Sequence, residues 1–172
     1  MSHPSQMEFV QRVKGRFPQF FVKRKVLEIG SLDINGSVRQ FFDDCGYIGV
    51  DLGKGKGVDI VARGEELVFP ASYFDVTISC ECFEHNPEWV KTFNNMVRMT
   101  SGIVIMTCAT TGRPEHGTRR TSPADAPFCG DYYQNLTEAD IRDNCDMTRF
   151  VQYEFSTNQN PADLYFWGLI RP

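Results

Sequence analysis

The stretch that decides the fold is Val26-Leu27-Glu28-Ile29-Gly30-Ser31-Leu32-Asp33-Ile34-Asn35-Gly36-Ser37. A mainly apolar run leads into a loop with two glycines, which is typical of a buried strand that turns toward a helix. Gly30 lets the backbone bend sharply beside a ligand, and Gly36 lets the next helix pack closely. The glycine spacing alone fits a tight structural turn equally well. Other features of the sequence are therefore needed to distinguish a structural turn from a ligand-binding loop.

Short apolar runs recur along the chain, at 25–29, 47–51, 59–61, 74–79 and 103–107, and the runs 149–155 and 164–170 are interpreted as closing strands. Helices are predicted over 4–17, 37–44 and 87–99, and after Thr137, which Asp140 would help to cap. This alternation predicts an α/β fold with a Rossmann-like, doubly wound, mostly parallel sheet of about seven strands, an antiparallel closing strand and helices on both faces. We expect one domain over 1–172, with a leading helix within 1–20 and a substrate-side loop over 108–135.

Composition limits the class of protein. The chain has 172 residues, a formal net charge of −4 and no apolar stretch long enough to span a membrane, so we expect a cytoplasmic protein that does not bind membranes. The missing basic excess argues against a nucleic-acid substrate. With six cysteines in no CxxC spacing and only three histidines, we expect reduced thiols and no metal site.

Polar groups are predicted to meet where several strands end. Asp51 ends the strand that follows the glycine loop, about twenty residues after that loop, where a carboxylate can accept hydrogen bonds from ribose hydroxyls. The run Cys80-Glu81-Cys82-Phe83-Glu84-His85 directly follows another buried strand. Because open α/β sheets bind ligands at the carboxyl ends of their strands, we expect one crevice there.

Over about 26–141 the chain resembles the class I S-adenosylmethionine-dependent methyltransferases, in particular the type-11 methyltransferase-like group. Phe83-Glu84-His85 matches the apolar residue, Glu and His that follow the family's fourth strand. The first loop departs from the family's acid followed by GxGxG, because Leu32 stands at the second glycine. Arg63 stands where the family commonly has an acid for the adenine amino group. Either Glu65 or a backbone group takes over that contact, or adenine is recognised more weakly.

The resemblance implies S-adenosylmethionine as methyl donor and S-adenosylhomocysteine as product. It implies that Glu28 helps to order the methionine end, that the backbone near Gly30 lines the cofactor, and that Asp51 holds the ribose hydroxyls. The predicted cofactor-binding residues are Glu28, Gly30, Ser31, Leu32, Asp51, Leu52, Arg63, Gly64, Glu65, Cys80 and Glu81.

Methyl transfer needs an acceptor held in line and, for weakly acidic acceptors, a base. The candidate bases are His85, which could instead cap the helix after it or pack under the cofactor, and His116, which could be an ordinary loop residue. The predicted substrate-side residues are Glu84, Arg113, Arg119, Tyr132 and Tyr133. Arginines suit a phosphate or carboxylate on the acceptor, although charged loops are often merely solvated.

The sequence therefore predicts an enzyme that methylates a small-molecule or glycan-type acceptor. The missing GxGxxG argues against a nicotinamide enzyme, since Leu32 and Asp33 would obstruct or repel a pyrophosphate. The alternative is a non-catalytic S-adenosylmethionine-binding regulatory or scaffold module, because Leu32 and Arg63 depart from the family pattern. Monomer and homodimer are both left open.

Overall fold

The computed structural model describes residues 4–172. Its centre is a seven-stranded sheet in the order β3-β2-β1-β4-β5-β7-β6. The strands are β1 (Lys25–Ile29), β2 (Gly46–Asp51), β3 (Ile60–Val61), β4 (Phe74–Cys80), β5 (Thr100–Ala109), β6 (Phe150–Thr157) and β7 (Asp163–Ile170). Only β7 runs against its neighbours β5 and β6, and the other pairs are parallel. The predicted fold class is confirmed.

The side on which successive strands are added to the sheet changes at β1. The chain builds β2 and β3 on one side of β1, then returns to place β4 on its other side. In open α/β sheets such a switch point leaves a crevice at the carboxyl ends of the two central strands. The loops after β1 and β4 therefore face each other across a crevice.

Side chains of the sheet alternate between two apolar layers, as the pleat requires. On β1, Val26 belongs to one layer, whereas Leu27 and Ile29 belong to the other. Both layers are buried, which explains why the central strands are mainly apolar on both faces. Thr77 is an exception inside the sheet, and its hydroxyl lies 2.7 Å from the Thr100 hydroxyl in a fully buried pair.

Three α-helices cover the sheet. α1 (Pro4–Arg16) packs Phe9, Val10 and Val13 against the layer that contains Val26. α2 (Trp89–Met99) and α3 (Glu138–Asn144) pack against the opposite layer. α3 begins at the predicted capping box, in which the Thr137 hydroxyl accepts the Asp140 N–H and the Asp140 carboxylate accepts the Thr137 N–H.

The predicted helix over 37–44 is wrong. Only a short 3-10 segment, Val38–Phe41, forms there, with the Ser37 hydroxyl accepting the Arg39 N–H. The chain then passes beside Phe21, whose carbonyl accepts the Asp43 N–H. Asp44 has a left-handed φ of 53°, which a continuing α-helix does not allow. Too few residues separate the glycine loop from this anchor to build further helical turns.

The segment after β5 lacks α-helix or strand until α3 begins. It contains a short 3-10 turn, Pro123–Asp125, and otherwise consists of turns and irregular backbone. This agrees with the long loop predicted over 108–135, except that β5 continues to Ala109. Within residues 4–172, no helix has the length and apolar character needed to cross a membrane. No disulfide joins the six cysteines.

Candidate active site

A cleft of about 370 Å³ lies at the carboxyl ends of β1, β2, β3 and β4. Its inner wall follows the strand ends, and its outer wall belongs to the long loop after β5. The inner wall consists of Ile29, Gly30, Leu32, Ile34, Val50, Asp51, Leu52, Ala62, Arg63, Gly64, Glu65, Glu81, Cys82, His85, Asn86 and Pro87. The outer wall consists of residues 125–132.

The glycine loop is fixed to the end of β2. The backbone N–H groups of Gly30 and Ser31 both donate to the Val50 carbonyl, at 2.9 and 3.1 Å. The Asp51 carboxylate accepts the Leu32 N–H at 3.0 Å and the Leu52 N–H at 2.7 Å. Each carboxylate oxygen keeps a further lone pair for a ligand. Asp51 therefore holds the loop in place and still has capacity to bind a hydroxyl.

Gly30 is required by packing as well as by backbone conformation. Its φ is +81°, which favours glycine. A Cβ at this position would lie 2.7 Å from the Cβ of Cys82, in the loop after β4. The two loops at the switch point thus touch through Gly30 and Cys82. Cys82 was not among the predicted site residues.

The outer wall rests on the turn that follows β2. The Phe128 ring packs so closely on Gly53 that a Cβ on the glycine would have no space. Phe128 is nevertheless 46% exposed, so its other side faces solvent. The long loop therefore reaches across the cleft and contacts the opposite wall there. Tyr132, one of the predicted substrate-side residues, also lines the cleft.

At the β3 end of the cleft lie the predicted residues Arg63, Gly64 and Glu65. The Arg63 guanidinium is 3.7 Å from the Glu65 carboxylate, and the Arg63 side chain is 54% exposed. The Glu65 carboxylate is largely buried and accepts the Thr92 hydroxyl at 3.1 Å. Glu65 is thus the better fixed of the two charges, because α2 holds it through Thr92.

Three of the predicted cofactor residues do not line the cleft. Ser31 and Cys80 are buried, with Cys80 in the same apolar layer as Val26. Glu28 is 4% exposed, and its carboxylate accepts the Tyr47 hydroxyl at 2.8 Å. Burial raises the pKa of Glu28 from 4.5 to about 7, although the Tyr47 hydrogen bond opposes the shift. The remaining predicted cofactor residues all line the cleft.

Behind the cleft, Glu84, His85 and His116 bring one ligand atom each to within 4.8 Å of one another. His85 also lines the cleft, and His116 lines a second cavity beside it. The two imidazole rings have centroids 5.1 Å apart, and Tyr133 packs on both. Burial, followed by the charge of His116, lowers the pKa of His85 to about 4, so its ring is neutral at physiological pH.

Next to this cluster is a network of buried charges. Arg113 donates to Glu81 at 3.2 Å and to Asp163 at 2.8 Å. Glu81 adopts a left-handed φ of 51° and lies 3.7 Å from the His116 ring nitrogen. Burial, followed by the Glu84 charge, raises the pKa of Glu81 to about 8. Arg119, in contrast, is 81% exposed, pairs with Asp131 and lines neither cavity.

No sequence model of a known family matches the chain, and no curated protein matches it in sequence. Solved structures do match it in three dimensions. The YcgJ protein of Bacillus subtilis gives a TM-score of 0.65 at 12% identity, over 99% of this chain and 100% of that one.

Two further matches are structures of named methyltransferases. Phosphoethanolamine N-methyltransferase 2 of Haemonchus contortus, solved with S-adenosyl-L-methionine, gives 0.66 at 16% identity, over 96% of this chain and 52% of that one. The 1,6-didemethyltoxoflavin-N1-methyltransferase of Burkholderia thailandensis, solved with 1,6-didemethyltoxoflavin and S-adenosylhomocysteine, gives 0.62 at 12% identity, over 100% and 92%. The chain therefore has the Rossmann-like fold of these methyltransferases.

Proposed function

We propose that this chain binds S-adenosylmethionine in the cleft and transfers its methyl group to a small-molecule acceptor. The observation that carries the proposal is the position of the cleft. It lies at the switch point of the sheet, between a glycine turn after β1 and the Asp51 carboxylate at the end of β2. This is where open α/β sheets place nucleoside ligands. The shared fold with methyltransferases that hold this cofactor or its product supports it.

The charge of the cleft favours a cationic cofactor. The carboxylates of Asp51, Glu65, Asp125 and Asp131 line it, against the guanidinium of Arg63. S-adenosylmethionine carries a sulfonium cation and no phosphate. A dinucleotide would bring its pyrophosphate into this acidic surrounding, which Coulomb repulsion opposes. The same charges support the exclusion of a nicotinamide cofactor.

Asp51 and Glu65 would hold the two ends of the adenosine moiety. Asp51 is fixed by two backbone N–H groups and would accept the ribose hydroxyls. Glu65, fixed by Thr92, would accept the adenine amino group in place of the acid that Arg63 displaces. Arg63 is more exposed and offers donors only, so it cannot serve that amino group.

His85 is a poor general base in this setting. A neutral imidazole whose conjugate acid has a pKa of about 4 gains little by taking a proton at neutral pH. It is well suited to accept a hydrogen bond or to bind an ion. We infer that the transfer relies mainly on in-line positioning of acceptor and methyl group.

Calorimetric titration with S-adenosylmethionine, S-adenosylhomocysteine and NAD tests the cofactor. Both sulfur compounds should bind and NAD should not. Asp51→Asn keeps the side-chain shape but removes the charge, and it should weaken binding about tenfold or more. Asp75→Asn is the matched control, because Asp75 also accepts a backbone N–H, from Lys25, but near the amino end of β4, away from the cleft. Equal loss in both variants, or no binding to the wild type, contradicts the proposal.

Turnover separates the enzyme from a non-catalytic binding module. With a panel of small-molecule acceptors, an enzyme releases S-adenosylhomocysteine in amounts that depend on the acceptor. A module that only binds the cofactor gives the same titration and no release with any acceptor of the panel. Release that disappears in Asp51→Asn would tie turnover to the cleft.

A further inference from the structure

The cluster behind the cleft has the composition of a metal site. Two imidazoles and one carboxylate, from Glu84, His85 and His116, present ligand atoms within 4.8 Å of one another. Imidazole nitrogen suits Zn²⁺, Fe²⁺ and related transition metals, whereas Mg²⁺ and Ca²⁺ prefer oxygen alone. Two histidines with one carboxylate is a ligand set that leaves coordination positions open.

Buried atoms in the cluster lack hydrogen-bond partners. Glu84 is fully buried, and its Oε2 has no hydrogen bond to any residue in 4–172. His85 is 5% exposed, and its Nδ1 has none either. Leaving a buried polar atom without a hydrogen bond is costly, and more so if the atom is charged. Two such atoms, in two residues of one cluster, indicate a missing partner that accepts a lone pair from each.

A backbone carbonyl orients the His116 ring. His116 Nδ1 lies 3.1 Å from the Pro114 carbonyl oxygen, which leaves Nε2 as the nitrogen that can bind an ion. A histidine that ligates a metal usually donates its other N–H to a carbonyl or carboxylate, which fixes the ring and the tautomer. The His116 ring is held in this way without a metal.

We propose that Glu84, His85 and His116 bind a divalent transition-metal ion, in the wall between the cleft and the second cavity. The site does not depend on the proposed methyl transfer. It replaces the sequence-based expectation of no metal, which rested on the scarcity of histidines. If both proposals hold, the ion lies beside the methyl donor, since His85 belongs to the cleft wall as well.

Metal uptake by the chelator-treated, full-length protein tests the site without any cofactor present. Titration with Zn²⁺ should show saturable binding of one ion per chain. Glu84→Gln and His116→Ala should each raise the Kd for Zn²⁺ about 100-fold or more, since even residues that only support ligands cost about 10–100-fold. Glu88→Gln is the matched control, because Glu88 lies four residues along the chain and its half-buried side chain pairs with Lys91.

Cobalt distinguishes this site from adventitious thiolate binding, because Cys82 and Cys129 line the adjacent cleft. Co²⁺ bound by Glu84, His85 and His116 should show d–d absorption without a sulfur-to-metal charge-transfer band. Circular dichroism checks that each variant is folded. Absence of saturable uptake, a thiolate band, or equal affinity in Glu84→Gln and Glu88→Gln overturns the proposal. Failure of the S-adenosylmethionine titration would leave these outcomes unaffected.

Discussion

Gly30 and Cys82 join the two central loops of the sheet, because a Cβ on Gly30 would lie 2.7 Å from the Cβ of Cys82. Real Cβ atoms do not approach so closely, so a side chain at position 30 would push the loop after β1 away from the loop after β4. The sequence analysis interprets Gly30 as a residue that lets a ligand approach the backbone. The structure shows that Gly30 is also needed for the two loops to pack together.

Gly30→Ala should therefore destabilise the fold even without ligand. A left-handed φ of +81° together with the contact to Cys82 predicts a loss of about 2 kcal/mol or more in the free energy of unfolding. Gly15→Ala is the control, because a Cβ there meets nothing within 4 Å and the site is in α1, where alanine gains up to about 1 kcal/mol. Urea unfolding measures both. In a double-mutant cycle, Cys82→Gly should reduce the penalty; an independent, additive effect would contradict the contact.

Arg113 and Arg119 are predicted to differ in their contribution to stability. Arg113→Met leaves the buried carboxylates of Glu81 and Asp163 without their guanidinium and should cost about 3–5 kcal/mol. Arg119→Met removes a side chain that is 81% exposed and should change the unfolding free energy by less than about 0.5 kcal/mol. Thermal unfolding of both variants checks this. Similar melting temperatures would show that the Arg113 network is not a structural one.

Glu28 should make the protein more stable at acid pH. Its pKa is about 7 in the fold against 4.5 as the reference, so the folded state binds the proton more tightly. The free energy of unfolding is then highest below pH 4.5 and falls by about 3 kcal/mol in all as pH rises toward 7. Above pH 7 it stays at the lower value.

Glu28→Gln should remove that loss, because the amide oxygen still accepts the Tyr47 hydroxyl without carrying a charge. We expect the variant to be more stable than the wild type at pH 8 and similar to it near pH 4. Chemical unfolding across this pH range provides the measurement. A wild type whose stability rises with pH through this window would refute the assignment.

Glu65 should determine recognition of the adenine amino group. Glu65→Gln should raise the Kd for S-adenosylhomocysteine about tenfold, since a hydrogen bond to a charged acceptor is lost. The amide can donate to an oxygen, so the variant should discriminate less against S-inosylhomocysteine, which carries an oxo group in place of the amino group. Glu66→Gln, at an exposed neighbouring position, should leave both affinities unchanged. Unaltered discrimination in Glu65→Gln would assign the contact to another group.

The sheet was predictable because both of its faces are buried. A strand covered on both sides is mainly apolar on both faces, which marks β1, β4 and β5 in the sequence. The segment 37–44 was misleading, since its composition suits a helix, but Asp43 is tethered to Phe21 and Asp44 has a left-handed φ. Such a tether joins residues distant in the sequence and leaves no local pattern.

The sequence predicted which strand ends form the site, but it predicted the individual side chains of the site less well. Glu28 and Cys80 lie within strands, where alternation sends their side chains toward the layer that contains Val26 and away from the cleft. Cys82 lies beyond β4 and reaches the cleft, although it was not among the predicted site residues. The meeting of His85 and His116 depends on the path of a long irregular loop, which no periodicity encodes.

The contact between Phe128 and Gly53 bears on how quickly a ligand can enter. Residues 125–132 form the outer wall of the cleft, and Phe128 joins that wall to the turn after β2. Because this contact joins the two walls, we expect a nucleoside-sized molecule to enter only when it opens, as with other loops that cover binding sites. The observed association rate should therefore level off at high ligand concentration, at the rate of loop opening. In Phe128→Ala it should continue to rise linearly with concentration.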